Sequence, residues 1–194
     1  MLQKNVIKIL KTGSIGVLAT DTIYGLVGSA LNKKTVERVY KARKRNPKKP
    51  CIILIGSIDD LAKFAIKTDK ETAKVLNKYW GGKRPTSIIL PHSNPKFKYL
   101  HRGTKTLAFR LPARRPGGGP KKPSLIKLLK QTGPLIAPSA NPEGWPPAKT
   151  IAEARAYFGE QVDFYLPSRS RAKAGLRPSK LIKIENSKVI ILRK

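Results

Sequence analysis

The chain has 194 residues, enough for one domain with a real core, and it carries 41 Lys and Arg against 11 Asp and Glu, a formal net charge of +30. No apolar run approaches a membrane span, the apolar part of the N-terminus is too short for a secretory leader, and the single cysteine, Cys51, excludes an internal disulfide and CxxC metal spacing. These exclusions lead to the expectation of a globular protein in the cytoplasm, and a charge of about +15 in each half of the chain points to polyanions such as nucleotide or nucleic acid.

In chain order, Leu2–Lys11 places Val6, Ile9 and Leu10 on one face and predicts a helix ended by Gly13. Ile15–Ala19 and Cys51–Ile55 are short apolar runs that predict buried strands. Between them lie a hydroxyl-rich turn (Thr20, Asp21, Thr22, Tyr24, Gly25), a helix capped by Asn32 or Thr35 with Val36, Val39 and Tyr40 inward, and a cationic loop (Arg43, Lys44, Arg45, Lys48, Lys49). Ser57-Ile-Asp-Asp resembles a capping box and opens a short helix with Leu61, Phe64 and Ala65 inward. A helix near Asp69–Tyr79, with Ala73, Leu76 and Tyr79 inward, stops at Trp80-Gly81-Gly82. Thr86–Leu90 and Thr106–Leu111 predict strands.

Arg114–Lys122 is a Pro, Gly and basic loop; its three glycines are not a phosphate loop, because no G-K-[ST] follows. Ser124–Thr132 predicts a helix closed by Gly133, and Leu135–Ala137 a strand running into Pro138-Ser139-Ala140-Asn141. Thr150-Ile-Ala-Glu153 is a capping box before Ala154–Phe158. Val162–Leu166, Leu181–Ile184 and Val189–Leu192 complete the strands, and 167–178 is a second basic loop. Helices and strands mix without strict βαβ alternation. The expected architecture is therefore an α/β (α+β) domain over 1–194, a mixed sheet with helices packed on it.

The residues exclude some chemistry. His92 and His101 are the only histidines, both read as surface groups, and no G-x-S-x-G is present, so a Ser–His–Asp hydrolase is not supported. No carboxylate pair stands out, and no protein metal site is expected. What remains are hydroxyl and cationic groups at strand ends: Thr20 and Thr22, Arg43 and Arg45, Thr106 and Arg110, Ser139 and Asn141, Ser179 and Arg193. Such groups act by positioning reactants and stabilising charge rather than by covalent attack. By itself Ser139-Ala-Asn141 also reads as an ordinary turn after a strand.

Together the segments A-T-D-T-I-Y-G-L (19–26), K-P-C-I-I-L-I (49–55), W-G-G with P-T (80–86), T-L-A-F-R-L-P (106–112), G-P-L-I-A-P-S-A-N (133–141), R-P-S-K-L-I (177–182) and I-L-R (191–193) resemble the YrdC/TsaC family, the threonylcarbamoyl-AMP synthases. The likeness spans about residues 3–193 and suggests the short single-domain form. It implies a twisted mixed sheet with a basic concave face. It also implies a nucleotidyl transfer that joins L-threonine, bicarbonate and ATP, releases pyrophosphate, and feeds N6-threonylcarbamoyladenosine formation on tRNA by partner proteins. Mg²⁺ is expected to travel with ATP.

Carried over by position, the resemblance puts Thr22, Arg110, Ala137 and Ser179 at L-threonine, and Arg43, Arg45, Lys49, Thr106, Ser139, Asn141 and Arg193 at ATP. No covalent nucleophile is implied; Arg43, Arg45, Ser139 and Asn141 would position the reactants. The sequence departs from the family pattern at several points. Arg43 stands where the family has lysine, although Lys41-Ala-Arg43 also offers K-x-R, and Ala19 replaces a proline. Thr86 and Ser87 compete as counterpart of one hydroxyl, and Lys180 replaces the threonine of a Ser-Thr pair. Two rivals follow from charge and family: a non-catalytic double-stranded RNA or tRNA-binding module, and a carbamoyl-transfer paralogue. With 2 Trp, 6 Tyr and 5 Phe, mostly at core-like positions, stacking readout of RNA sequence is poorly supported.

Overall fold

In the computed structural model, residues 2–112, 123–167, 178–185 and 188–194 are described, the side chains of 2–4 and 123 excepted. The expectations for the Arg114–Lys122 loop, and for all but the ends of the 167–178 loop, lie outside them. The elements are α1 (Leu2–Lys11), β1 (Gly16–Ala19), β2 (Tyr24–Ser29), α2 (Lys33–Ala42), β3 (Ile52–Leu54), α3 (Lys70–Trp80), β4 (Thr86–Pro91), α4 (Lys98–His101), β5 (Thr106–Arg110), α5 (Pro123–Thr132), β6 (Leu135–Ile136), α6 (Ile151–Phe158), β7 (Phe164–Leu166), β8 (Lys180–Glu185) and β9 (Lys188–Arg193). The strands form one nine-stranded sheet in the order β7-β1-β2-β6-β3-β5-β4-β8-β9. It is mixed: β1–β7, β3–β5 and β4–β8 run parallel, and the other neighbours antiparallel.

Alternation along the strands sorts side chains onto two faces. One face carries Val17, Leu26, Ile53, Ile88, Phe109 and Ile182, packed with Val36 and Val39 of α2, Leu76 and Trp80 of α3, and Phe158 of α6. The other carries Leu18, Val27, Leu54, Leu135 and Ala137 beneath Val6 and Leu10 of α1 and Leu125, Leu128 and Leu129 of α5. Ala108 and Arg110 of β5, and Ser87 of β4, alternate onto this second face. The helix ends follow the sequence signals. Asn32 Oδ1 accepts from the Thr35 N–H, Asp69 caps α3, Thr150 caps α6, and Ser57 and Asp60 form a reciprocal capping box.

The structure corrects four sequence expectations. The turn after β1 is shorter than read, because Tyr24–Ser29 is a buried central strand. Its two glycines hid it, since glycine lowers strand propensity. Gly28 is required by packing: a Cβ there would lie 2.5 Å from Thr35 Cγ2. The segment Ile58–Phe64 is a 3₁₀ helix, and Ala65 is an exposed left-handed cap (φ 57°) rather than an inward residue. His92 and His101 are buried, not on the surface. His92 Nε2 lies 2.7 Å from the Phe64 carbonyl, and His101 Nδ1 accepts from the Gly103 N–H. Ala73 and Tyr79 are half-buried, and Leu76 and Trp80 anchor α3.

Candidate functional site

The β1–β2 turn is held by its own hydroxyls. Thr20 Oγ1 donates to the Ile23 carbonyl (2.6 Å), accepts from the Thr22 N–H (3.2 Å) and lies 3.1 Å from Thr22 Oγ1. Thr20, Asp21 and Thr22 are all buried. Arg110 ends β5 and reaches this turn: Nη2 is 3.2 Å from Asp21 Oδ1 and 3.4 Å from Thr20 Oγ1. Both members of that ion pair are buried, so the guanidinium has a fixed direction.

After β6 the chain stays bonded to the sheet. The Ala137 N–H donates to the Ile52 carbonyl, the Leu26 N–H to Pro138, and the Ala140 N–H to Tyr24. Ser139 bridges Gly25. These bonds set Ser139 and Asn141 beside the Thr20–Thr22 turn. Arg43, the C-cap of α2, is 3% exposed. It donates from Nε to the Asn141 carbonyl (2.8 Å) and from Nη2 to Ser139 Oγ and Asn141 Oδ1 (both 3.3 Å). Its Nη1 is buried with no hydrogen-bond partner among the described residues. Burial, and then the neighbouring charge of Arg45, pushes its pKa down. An arginine does not escape that cost by losing its proton, so the site favours an anion.

The basic loop is tied to the loop beyond Asn141 by Glu143. The Glu143 N–H donates to the Arg43 carbonyl, and its carboxylate accepts from the Asn46 N–H and pairs with Lys49 Nζ at 2.9 Å. Arg45 donates to the carbonyls of Lys49 and Pro50. Lys41 stays on the outside of α2, where an open surface cavity of about 460 Å³ is lined by Lys33, Lys34, Glu37, Arg38 and Lys41.

On the other side, of Thr86 and Ser87 it is Ser87 that meets an expected site residue. Its hydroxyl is 2.8 Å from Ser179 Oγ, both buried. Thr86 instead accepts the Trp80 indole N–H at its carbonyl. Arg193 grips the Ser179 carbonyl through Nε (2.9 Å) and Nη2 (2.8 Å). Burial first, and then nearby Arg110, lowers the pKa of Arg193. Lys180 pairs with Thr86 on the opposite face from Ser179, its Nζ 5.3 Å from the centroid of the Tyr79 ring. Thr106 opens β5, 3.1 Å from Thr104 Oγ1. It shares a face with Arg110 but stands about 13 Å away at four strand rises.

Two groups of expected residues are thus linked. Thr22, Arg110, Ser179 and Arg193 gather around Asp21 and Ser87; Arg43, Ser139 and Asn141 form the second set, with Arg45 and Lys49 on its rim. Ala137 supplies backbone at the β6 end, and Thr106 stands apart. Asp21 and Glu143 received no ligand role from sequence, and Ser87 was named only as an alternative to Thr86. The T-D-T spacing and the strand alternation carried a signal for Asp21 and Ser87; Glu143 had none. The groups present can hold a carboxylate and a polyphosphate, and they include no activated nucleophile. Cys51 is buried, with its pKa raised by that burial.

A family model for Sua5/YciO/YrdC, described as telomere recombination, matches residues 8–194. A Pyrococcus abyssi protein named threonylcarbamoyl-AMP synthase is 30% identical over 153 residues, covering 78% of this chain and 42% of that protein. A threonylcarbamoyl-AMP synthase of Halorhodospira halophila is 28% identical, covering 82% of this chain and 79% of its own length. This chain therefore spans less than half of the Pyrococcus relative. The crystal structure of P. abyssi Sua5 complexed with L-threonine superposes with a TM-score of 0.80 at 24% identity, over 98% of this chain and 53% of that one. E. coli YciO superposes at 0.79 and 18% identity, over 100% and 88%. At these identities the structures establish the fold. With the family model spanning nearly the whole sequence, the chain belongs to the Sua5/YciO/YrdC family.

Proposed function

We propose that the chain is an L-threonylcarbamoyladenylate synthase, which joins L-threonine, bicarbonate and ATP with release of pyrophosphate and water. The observation that carries this reading is the charge balance around Arg110. The buried guanidinium of Arg110 lies near that of Arg193, an exposed residue at the end of β9 whose pKa the Arg110 charge helps to lower. Among the described ion pairs Arg110 has one carboxylate, Asp21, and Arg193 has none. The pair lacks one carboxylate, which the amino acid would supply. Asp21 keeps Arg110 aimed before the substrate arrives. Thr22, Ser179 and the backbone at Ala137 line the same end.

The second set would take ATP, with Arg45 and Lys49 on the phosphates, Ser139 and Asn141 held under them by Arg43, and Thr106 and Arg193 at the flanks. The carbamate formed on the threonine amine attacks the α-phosphate in line, and pyrophosphate leaves. Fixed cations and donors meet the charge that develops, so positioning supplies the acceleration. Among the described residues no three His, Cys, Asp or Glu side chains cluster as metal ligands. In this reading Mg²⁺ would ride on the triphosphate. No helix of the described residues is long and apolar enough to cross a membrane. A cytoplasmic protein that meets tRNA by electrostatics and passes its adenylate to threonylcarbamoyl-transfer proteins fits this reading. The test is pyrophosphate release with L-threonine, bicarbonate and ATP, each omitted in turn. Release that persists without threonine or bicarbonate overturns the assignment.

A further inference from the structure

All 13 aromatic residues lie in the described segments, and only Trp145 is exposed, at 59%. Its backbone is not loose. The Trp145 carbonyl accepts from Asn141 Nδ2 at 2.7 Å, and its N–H donates to the Pro142 carbonyl at 3.1 Å. Pro146 and Pro147 follow, and the Ala148 N–H returns to the Ala140 carbonyl. The indole stands against Tyr157 at 84°, with centroids 5.5 Å apart. Asn141, which holds Trp145, is the residue that Arg43 grips from the other side. A rigid exposed indole therefore sits two hydrogen bonds from the buried cation of the phosphate set. An apolar ring left in water gains most from another flat ring.

We propose that Trp145 is the base platform of the nucleotide site, stacking on the purine of the nucleoside triphosphate whose phosphates meet Arg45 and Lys49. The inference rests on the synthase reading only for the presence of a nucleotide. Glu143, between Asn141 and Trp145, fastens the basic loop to this one, so base and phosphates would be held by one unit. The phosphate contacts would be the same for any nucleotide, and the indole would add the preference for a purine.

The full chain has two tryptophans, and Trp80 is 2% exposed, so acrylamide quenching of its fluorescence reports mainly Trp145. The expected result is that α,β-methylene-ATP lowers the quenching constant by roughly half or more and that tripolyphosphate, which has no base, leaves it unchanged. W145A should weaken the analogue by about 5- to 150-fold, leave tripolyphosphate affinity as it is, and be largely rescued by W145F. An unchanged quenching constant with the analogue bound overturns the proposal. So does wild-type analogue affinity in W145A, or shielding by a single-stranded oligonucleotide but not by the analogue. Shielding by the analogue without any threonine-dependent pyrophosphate release would leave the platform standing and remove the synthase reading.

Discussion

In the proposed function, Arg110 is the residue on which the amino-acid end of the site would depend. Its guanidinium is already paired with Asp21 and touches Thr20, so it needs no reorganisation to receive a second carboxylate. Arg110→Ala is expected to cost about 2–4 kcal/mol of L-threonine affinity, because a buried charge-assisted contact is lost. ATP affinity should move far less; equal losses in separate titrations would refute the assignment. Lys180 makes the complementary case. Strand alternation turns it away from Ser179 and toward Tyr79, with its stem on apolar surface. Lys180→Thr should therefore leave pyrophosphate release within about threefold of the parent, under about 1 kcal/mol in barrier. A tenfold rise in half-saturating ATP would make Lys180 a nucleotide ligand instead.

Among the elements, β2 bears the most on the site. It joins the Thr20–Thr22 turn to the Ser139 bridge, and it lies under α2, whose C-cap is Arg43. Its close approach to α2 rests on Gly28. A methyl group there meets Thr35 Cγ2 at 2.5 Å and Ile15 Cγ2 at 2.9 Å. Gly28→Ala is expected to destabilise the fold by about 1–3 kcal/mol through overpacking. Thr35→Ser removes the clashing methyl but keeps the hydroxyl that donates to the Gly13 carbonyl. The double variant should recover a good part of that loss in a denaturant-melt cycle. Simple additivity of the two changes would show that the contact is not the cause.

For the whole molecule, charge and pH make separate predictions. A net charge of +30 spread over both halves should bind a tRNA-like duplex with affinity that falls steeply with salt and with little preference among sequences. A shallow salt slope in a filter-binding series, or strong discrimination between duplexes of equal length, would contradict this. Buried His101, its ring centroid 6.2 Å from that of His92, sets an acid limit. Burial, and then the charge of His92, lowers the pKa of His101 below its ordinary 6.5. The unfolded chain thus takes up that proton first. Stability from this group is complete above about pH 6.5 and is lost as pH falls toward the folded-state value. The melting temperature should drop between pH 6.5 and 5, and His101→Gln should flatten that drop; an equally steep curve in the variant assigns the loss to other groups.

Most elements were legible in the amino-acid order, since apolar periodicity and caps are local properties: Asn32, one of two cap candidates, and Thr150 each start the helix that their side chains predict. The family was legible too, because its motifs fall at strand ends where short-range pattern and function coincide. Three things were not. β2 was hidden by its two glycines, of which Gly28 serves a close approach to Thr35 of α2 that only the packing of helix on strand reveals. The burial of His92 and His101 depends on Phe64, Phe97 and each other, brought together by packing. The pairings Asp21–Arg110, Ser87–Ser179 and Glu143–Lys49 join residues 89, 92 and 94 positions apart. Composition and spacing could name the groups that would bind anions. Only strand order and register, which close those long loops, decided which groups meet, because side-chain electrostatics acts over a few ångströms of space and not along the chain.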